Sequence, residues 1–275
     1  MQKVFLASET EKYAQYIQTD IVEYIGFGRT ETFESFDKYS LIAFDWYDTS
    51  DLSNEPAQIL IYLDGEDIFF ICENERSLNT VNELFTESGS NDNCLRLFFR
   101  DLLSGSTDRI EALENKASVL DGRIENGTDR SQKAELSFLR SEITKMKKYY
   151  GQLGFIFDGI CGNENGLIEP EMLKYFEILR NRAERFNTLI DELSEYISHV
   201  REAYLAQISV EQNDVMKTFT MVTSILLPLS LIAGWYGMNV KMPEFEWDLG
   251  YPFVITVSAA VCIIWVIIFK RKKWM

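Results

Sequence analysis

The chain has 275 residues, of which 43 are Asp or Glu and 27 are Lys or Arg, so its formal net charge at pH 7 is −16. Such acidity argues against a nucleic-acid-binding protein, which needs a basic surface. The single histidine, His199, excludes HExxH zinc chemistry and any site that needs two imidazoles, and the sequence has no GxxxxGK[ST] phosphate loop. Hydrolysis of a nucleotide is therefore not expected. Because the sequence also has no convergent set of catalytic residues, we expect a protein that is not an enzyme and has no organic cofactor.

The first part of the chain, residues 1–105, is predicted to form an α/β domain. Apolar runs rich in β-branched and aromatic residues alternate with turn signals, as in YSLIAFDWY and QILIYLDGEDIFFICEN. Asp64 and Gly65 separate two apolar runs, which predicts a hairpin with a type I′ turn. The cysteines share no CxxC spacing, so we expect them to be reduced, buried thiols. They are Cys72, Cys94, Cys161 and Cys262.

The next part, residues 106–215, is predicted to be helical and to include a long stalk helix. Gly122 and Gly127 with Thr128 predict a turn between two helices. The segment Asp158–Met172 predicts a loop that leads into a new helix, with Pro170 in its first turn. The sequence from Pro170 to Met238 is amphipathic and then apolar, and as one helix it would be roughly 100 Å long.

Two charge-free segments near the C-terminal end predict membrane-spanning helices. The first covers 23 positions, 218–240, and the second covers 21 positions, 249–269. A helix needs about 20 apolar residues to cross a bilayer, so both are long enough. We expect a first span over 216–238, an external loop over 239–250, a second span over 251–269 and a basic tail over 270–275.

The distribution of basic residues predicts the orientation of these spans. Four basic residues, 270–273, follow the second span directly, whereas the loop between the spans has three acids and one lysine. The positive-inside rule places the tail, and with it the N-terminal domain, in the cytoplasm. We expect a multi-pass protein of the cell inner or plasma membrane with both termini cytoplasmic and the lipid bilayer as a partner.

A stripe of mostly small and polar residues follows the long helix at alternating steps of three and four. We call it the polar stripe, and it consists of Asn213, Met216, Thr220, Thr223, Leu227, Ser230 and Gly234. A repeat of 3.5 residues keeps one side of a helix facing a common axis, and polar groups in a span avoid lipid. The stripe is consistent with a helix-packing face or with a water-filled path. One span per subunit cannot enclose water, so a path would require several copies.

The end of this helix carries a motif that resembles a known family. Tyr236-Gly237-Met238-Asn239 follows LPLSLIAGW, and the loop contains Met242-Pro243-Glu244 and then Trp247, Gly250, Tyr251 and Pro252. In this position, the Gly-Met-Asn tripeptide and loop resemble the CorA-type magnesium transporter family, and the basic tail is similar too. The specific resemblance covers residues 213–275.

The resemblance implies an α/β cytoplasmic domain, long stalk helices and two C-terminal transmembrane helices, assembled as a funnel-shaped homopentamer. It implies a channel-like transporter for divalent cations, with gradient-driven Mg²⁺ influx as the main activity and Co²⁺ or Ni²⁺ as further substrates. The family's pore-facing rings fall mainly on the polar stripe. They also include Phe219, next to the stripe, and Asn239 at the mouth.

The mouth suits a hydrated cation. Mg²⁺ gives up its water shell reluctantly, and the amide oxygen of Asn239 accepts hydrogen bonds from metal-bound water. Gly237, Met238 and Asn239 are therefore the expected selectivity filter, although an asparagine here also fits a helix C-cap. Three loop acids are expected to attract cations, or simply to keep the loop soluble. They are Glu244, Glu246 and Asp248.

The inner end of the span has two bulky apolar residues, Met216 and Phe219, which predict a gate that closes by excluding water, although both also fit stalk packing. Mg²⁺ is expected to be a substrate and a possible regulator, but the sequence does not assign regulatory metal sites. Two alternatives stay open. In the first, the chain transports Zn²⁺ or another divalent ion within the same superfamily. In the second, it is a membrane-anchored sensor or scaffold that conducts nothing.

Overall fold

The structure is a computed structural model that describes residues 1–17, 21–23, 32–48, 54–238, 249–272 and 274. The chain divides into two compact units, Met1–Glu202 and Ala203–Met275. The described strands are β1 (Gln2–Leu6), β2 (Phe33–Ser35), β3 (Tyr39–Trp46), β4 (Ala57–Asp64) and β5 (Ile68–Cys72). The described helices are α1 (Thr10–Tyr13), α2 (Glu75–Leu84), α3 (Asn91–Leu102), α4 (Ser106–Glu125), α5 (Arg130–Gly162), α6 (Pro170–Tyr236) and α7 (Gly250–Arg271). The predicted α/β domain, long helix and C-terminal apolar helix are thus confirmed.

The strands form one mixed sheet in the order β1-β5-β4-β3-β2. The edge strand β1 lies parallel to β5, and all other pairs of neighbouring strands are antiparallel. Leu41 lies opposite Tyr62, and Tyr62 lies opposite Phe69, so these three side chains share one face. Every residue of β5 is buried, which explains why its sequence is a continuous apolar run rather than an alternating one.

Both faces of this sheet are covered. On one face, Phe5, Phe69 and Tyr62 belong to an apolar cluster that includes Tyr13 at the end of α1. On the other face, Phe70 contacts Phe98 of α3, with 4.8 Å between the ring centroids. The core continues from α3 into α5, where the rings of Phe99 and Phe157 are 5.1 Å apart.

The predicted β4–β5 hairpin is present, but the predicted type I′ turn is wrong. The backbone N–H of Asp64 donates to the carbonyl of Asp67 at 3.0 Å, so Gly65 and Glu66 occupy the centre of the turn. Gly65 does not have the positive φ that a primed turn requires at this position. Instead, Asp64 Oδ1 accepts from the backbone N–H groups of Glu66 and Asp67 at 2.8 and 2.6 Å. The aspartate side chain, rather than a left-handed glycine, therefore organises the turn.

The turn between α4 and α5 is confirmed, and it lies between Glu125 and Arg130. Gly127 has a φ of 128°, while Gly122 lies inside α4. Asp129 caps α5 because its carboxylate accepts from the backbone N–H groups of Ser131 and Gln132 at 2.6 and 3.0 Å.

The loop predicted over Asp158–Met172 is shorter than expected, because α5 continues to Gly162 and α6 begins at Pro170. Asn163 ends α5 in the left-handed region, with a φ of 44°. Asparagine tolerates this conformation, which explains why the helix stops here rather than at Asp158.

The start of α6 is tied to the sheet and to α3. The Nδ2 of Asn165 donates to Ser40 Oγ at 2.8 Å and to the carbonyl of Phe36 at 3.0 Å. The backbone N–H of Glu169 donates to Oδ2 of the buried Asp92 at 2.7 Å. Because the first N–H groups of a helix lack partners within it, Asp92 caps α6 from a different helix.

Within the first unit, α6 buries one face at alternating steps of three and four residues. The buried residues are Phe176, Leu179, Ala183, Phe186, Ile190, Leu193, Ile197 and Val200. A helix with this repeat keeps one side against its neighbours. Lys147 of α5 forms an ion pair with Asp191 at 2.6 Å, and Tyr196 donates to Asp121 of α4 at 3.2 Å. Helices α4 and α5 therefore support one side of α6.

All four cysteines are free thiols, as predicted, but only Cys72 and Cys94 are buried. Cys161 and Cys262 are partly exposed, so the prediction of burial is wrong for these two. Burial raises the pKa of the Cys72 thiol to about 12, so this group stays protonated and inert at neutral pH.

The cap at Asp92 generates a stability prediction. Asp92→Ala removes the acceptor for the Glu169 N–H and is expected to lower the free energy of unfolding by about 1–2 kcal/mol. Asp92→Asn keeps an oxygen acceptor and is expected to lie close to the wild type at a pH low enough for Asp92 to be protonated. Thermal unfolding of the purified chain in detergent measures both variants. Equal midpoints for the Ala and Asn variants would contradict the cap.

The same variants have an expected pH dependence. Burial, together with the charge of Glu169, raises the pKa of Asp92 above its ordinary value. The native chain then holds this proton at a higher pH than the unfolded chain, so the stabilisation is present at low pH and is lost as the pH rises through the raised pKa. Asp92→Asn is expected to gain stability relative to the wild type over that rise.

Candidate functional site

The charge-free segment of α6 and the whole of α7 expose apolar side chains. Both helices are long and apolar enough to cross a membrane. Leu227 and Leu231 of α6 are 71% and 67% exposed, and Ile263 of α7 is 59% exposed. An apolar surface of this extent needs cover from lipid or from other chains.

The polar stripe lies on α6 and is not buried by the described chain. Five of its residues are exposed, whereas Thr220 and Thr223 are half-exposed. Stepping back from Asn213 by seven residues at a time leads to Ala206, His199, Glu192 and Arg185, all exposed. These positions lie on the side of α6 away from the buried residues of its first part, because the two sets are out of phase in the seven-residue repeat. The stripe thus continues the free side of the helix in sequence.

The two threonines of the stripe point their hydrogens at the backbone. Thr220 Oγ1 donates to the carbonyl of Met216 at 2.7 Å. Thr223 Oγ1 donates to the carbonyls of Phe219 and Thr220 at 2.9 and 3.2 Å. A hydroxyl that donates in this way keeps its lone pairs as acceptors. Each threonine therefore offers an oxygen that accepts hydrogen bonds, such as those from a metal-bound water.

The helix continues through Pro228, which lies between Leu227 and Ser230 of the stripe. Proline has no N–H, so it cannot donate to the carbonyl of Ser224 four residues earlier. A freed carbonyl within a span requires another donor, from a neighbouring side chain or from water.

The two predicted gate residues lie on neighbouring parts of the helix surface. Met216 is 59% exposed and Phe219 is 62% exposed. Immediately beside them, Lys217 forms an ion pair with Asp214 at 2.8 Å, which the i,i+3 spacing in the sequence already allowed. Two apolar side chains therefore stand where the charged part of α6 ends.

At the other end, α6 stops at Tyr236, and the filter sequence begins. The N–H of Gly237 donates to the carbonyl of Ala233 at 2.9 Å, and that of Met238 donates to the carbonyl of Trp235 at 3.3 Å. A Cβ on residue 237 would lie 2.9 Å from the oxygen of Ala233. Gly237 is thus required by a close approach to the preceding turn.

Some of the predicted site residues are not described. Asn239 of the predicted filter and the loop acids Glu244, Glu246 and Asp248 lie outside the described residues. Their roles, and the pore-lining and gating roles of the described residues, stay predictions.

No grouping of three or more His, Cys, Asp or Glu side chains that could hold a metal ion occurs within the described part of the chain. His199 lies 4.0 Å from Glu195 and 3.8 Å from Glu202 on the exposed side of α6. Regulatory metal sites therefore remain unassigned. Sequence reasoning missed Asp92, whose partner Glu169 is 77 residues away in the chain.

Comparison with known proteins identifies similar sequences and folds. A family model described as CorA-like Mg²⁺ transporter protein matches residues 17–271. The cobalt/magnesium transport protein CorA of Thermotoga maritima is 28% identical over 167 residues, which cover 60% of this chain and 48% of that protein. The magnesium transport protein CorA of Helicobacter pylori (strain 26695) is 42% identical over 80 residues, which cover 29% of this chain and 25% of that protein. The matched stretches thus span about half and a quarter of these relatives' lengths.

The fold is also similar to a solved structure, that of the CorA magnesium transporter from Methanocaldococcus jannaschii. The TM-score is 0.79 at 18% sequence identity, and the match covers 98% of this chain and 88% of that one. The matched part of the chain includes residues of both compact units, and the similarity is one of fold.

Gly237, directly after α6, generates a prediction with a matched control at Gly234 in the last turn of that helix. Gly237→Ala places a methyl group against the Ala233 carbonyl, so it is expected to lower the thermal midpoint of the purified chain and to increase proteolysis near residue 237. Gly234→Ala meets nothing within 4 Å and is expected to leave the midpoint unchanged or to raise it, since alanine favours helix by about 1 kcal/mol over glycine. A lower thermal midpoint for Gly234→Ala than for Gly237→Ala would contradict the close approach.

Proposed function

Since the chain belongs to the family of CorA-like Mg²⁺ transporter proteins, we propose that it carries divalent cations across a membrane, chiefly as gradient-driven Mg²⁺ influx, with Co²⁺ and Ni²⁺ as further substrates. The observation that carries this proposal is the polar stripe. Its residues are exposed or half-exposed on α6, most of them lie in the charge-free segment, and the stripe ends at Gly234, shortly before the Gly-Met-Asn tripeptide.

The proposed path is built from several copies of α6. A single helix cannot surround water, and α6 leaves the side that bears the stripe free. Five copies with their stripes turned to a common axis would enclose a path and would cover that side. The number five comes from the resemblance to the family. Lipid and α7 would cover the bulky residues beside the stripe, such as Leu226 and Leu231, which are 55% and 67% exposed.

A mass measurement of the purified assembly in detergent tests this arrangement. The expected mass is five times the 31.9 kDa of one chain. An assembly of two chains leaves no room for a central water-filled path and would contradict the proposed pore.

At the outer mouth, Asn239 would form a ring of neutral oxygens that accept hydrogen bonds from the waters of a hydrated ion. Mg²⁺ loses its waters reluctantly, so a site that binds the hydrated ion avoids that cost. Neutral oxygens bind more weakly than carboxylates, and an ion that is to be conducted must also leave. Glu244, Glu246 and Asp248 would raise the local cation concentration before entry.

Along the path, the stripe would offer acceptors and space. Thr220 and Thr223 keep their oxygen lone pairs free because their hydrogens donate to the backbone. Ser230 and Gly234 are small, so they leave room for an ion that keeps its waters. Leu227 would form an apolar ring between these two polar parts.

At the inner end, rings of Met216 and Phe219 would form the gate. Apolar rings stop conduction when they come close enough to exclude water. The ion pair between Lys217 and Asp214 neutralises the charges beside them, which limits local attraction or repulsion of cations at this level. The basic tail over 270–275 supports a cytoplasmic inner end by the positive-inside rule.

Removal of the Asn239 amide tests the filter. Asn239→Ala is expected to reduce Mg²⁺ uptake into reconstituted vesicles to less than about a tenth of the wild type. The reason is that no amide oxygen then accepts hydrogen bonds from the waters of the hydrated ion at the mouth. Asn239→Asp is the matched variant. It keeps the oxygens and is expected to bind Mg²⁺ more tightly while conducting more slowly.

The same vesicles rank the substrates when Co²⁺, Ni²⁺ or Zn²⁺ competes with Mg²⁺. Preference for Zn²⁺ would overturn Mg²⁺ as the main substrate. Uptake by Asn239→Ala at the wild-type rate would remove Asn239 from the filter. Absence of uptake by the wild type for every ion would favour a non-conducting sensor or scaffold.

Removal of the gate side chains tests the inner ring. The double variant Met216→Ala with Phe219→Ala is expected to increase leak at high internal Mg²⁺, because the wider ring stays wet. Leu231→Ala is the control, since Leu231 is similarly exposed at 67% but lies in the outer half of the predicted span, away from the inner end. If both variants leak equally, the effect comes from helix packing and the proposed gate is wrong.

A further inference from the structure

The inner end of α7 combines unpaired cations with a stack of aromatic rings. Lys270, Arg271 and Lys272 are exposed in the last turn of α7 and directly after it. Within the described residues, none of the three has an ion pair, in a chain whose net charge is −16. By contrast, Lys217 at the inner end of the α6 span is neutralised by Asp214 at 2.8 Å. Among the described residues of the second unit, the positive charge without an ion pair therefore lies at this end of α7.

The aromatic rings fix the shape of this end. The ring of Phe269 lies between Trp265, at 5.4 Å and 26°, and Trp274, at 5.9 Å and 9°. The backbone N–H of Trp274 donates to the carbonyl of Phe269 at 3.0 Å. The chain therefore turns back after α7 instead of extending away from it, and Phe269 is 3% exposed in the resulting stack.

This turn keeps the cations close to the helix end. The Nζ of Lys272 lies 5.7 Å from the centroid of the Trp274 ring, and the N–H of Lys272 donates to the carbonyl of Ile268 at 3.0 Å. The last carbonyls of a helix carry only a partial negative charge, so they attract these cations without neutralising their charge. Tryptophan rings prefer the level of the lipid headgroups. The three cations would thus be held at that level by the two tryptophans beside them.

We propose that this end of α7, formed by Lys270, Arg271 and Lys272 with Trp265 and Trp274, binds the phosphate groups of anionic phospholipids in the cytoplasmic leaflet. Charge complementarity carries the choice of partner. Clustered Lys and Arg directly inside a span attract anionic headgroups, and each contributes about a fivefold gain in affinity. The proposal rests on the membrane orientation given under the proposed function, but it does not depend on ion conduction.

The experiment uses the full chain in detergent and measures lipid retention by native mass spectrometry after addition of phosphatidylglycerol or phosphatidylcholine. The wild type is expected to retain phosphatidylglycerol in preference to phosphatidylcholine. The variant K270Q/R271Q/K272Q is expected to lose this preference at least about tenfold, since three charges are removed. The matched variant K270R/R271K/K272R keeps the charges and is expected to keep the preference. Trp274→Leu is expected to weaken retention of both lipids, because it removes one side of the stack.

Several outcomes would overturn the proposal. Equal preference in the wild type and the glutamine variant would show that these cations do not bind lipid. Displacement of phosphatidylglycerol by an equal concentration of soluble glycerol phosphate would show a site for a free phosphate group instead of a lipid. A smaller assembly mass or a lower thermal midpoint in the glutamine variant would attribute its loss to structure, and the single variants K270Q and K272Q then decide by whether each lowers retention in the intact assembly. Lipid retention is measured without ion flux, so this result holds whether or not the chain transports ions.

Discussion

A helix that buries one side against its own chain needs surroundings that match its other sides: water for polar residues, and lipid or another chain for apolar ones. In the first unit, α6 places Phe176 and Ile190 in the core at the steps of a 3.5-residue repeat. After that unit ends, the same helix continues with exposed side chains such as Leu227 at 71% exposure. Lipid can cover the apolar sides, but it cannot cover hydroxyl groups cheaply. The division of one helix surface into apolar and polar parts is the feature on which the proposed ion transport depends.

The start of α6 is connected to the sheet and to α3 by hydrogen bonds. Asn165 joins the loop before α6 to the β2–β3 end of the sheet, and Asp92 joins the first turn of α6 to α3. Both contacts are directional hydrogen bonds to backbone or hydroxyl groups. A shift of α3 or of the sheet edge therefore has to break these bonds or move the helix with it. Since α6 has no described break up to Tyr236, its first turn is the point at which such a shift would enter.

The sequence was most informative where a pattern is long and repeated. The unbroken helix from Pro170, the two apolar segments and the strand runs all follow from periodicity and length, which depend on many residues at once. The family could be identified because Gly237, Met238 and Asn239 stand in a fixed place after the first span. The roles of Asn239 and the stripe depend on neighbouring copies and on ions, so they stay predictions.

Predictions of local backbone conformation were wrong where one side chain decides between similar conformations. At the β4–β5 turn, the Asp64 carboxylate accepts from two backbone N–H groups, and this removes the need for a left-handed Gly65. The loop predicted from Asp158 onward begins later in the structure, since α5 continues to Gly162 and only Asn163 ends it. The cap from Asp92 to Glu169 joins distant parts of the chain, and no local spacing signals such a contact.

The threonine hydrogen bonds on α6 have a consequence for charge discrimination. With its hydrogen committed to a carbonyl of the preceding turn, each of Thr220 and Thr223 presents only lone pairs on its remaining side. A chloride ion or a phosphate entering the proposed path would need N–H or O–H donors in place of its waters, and these two rings supply none. Such a lining would reject anions without a single fixed negative charge, and so would avoid the deep binding that a ring of carboxylates imposes on a divalent ion.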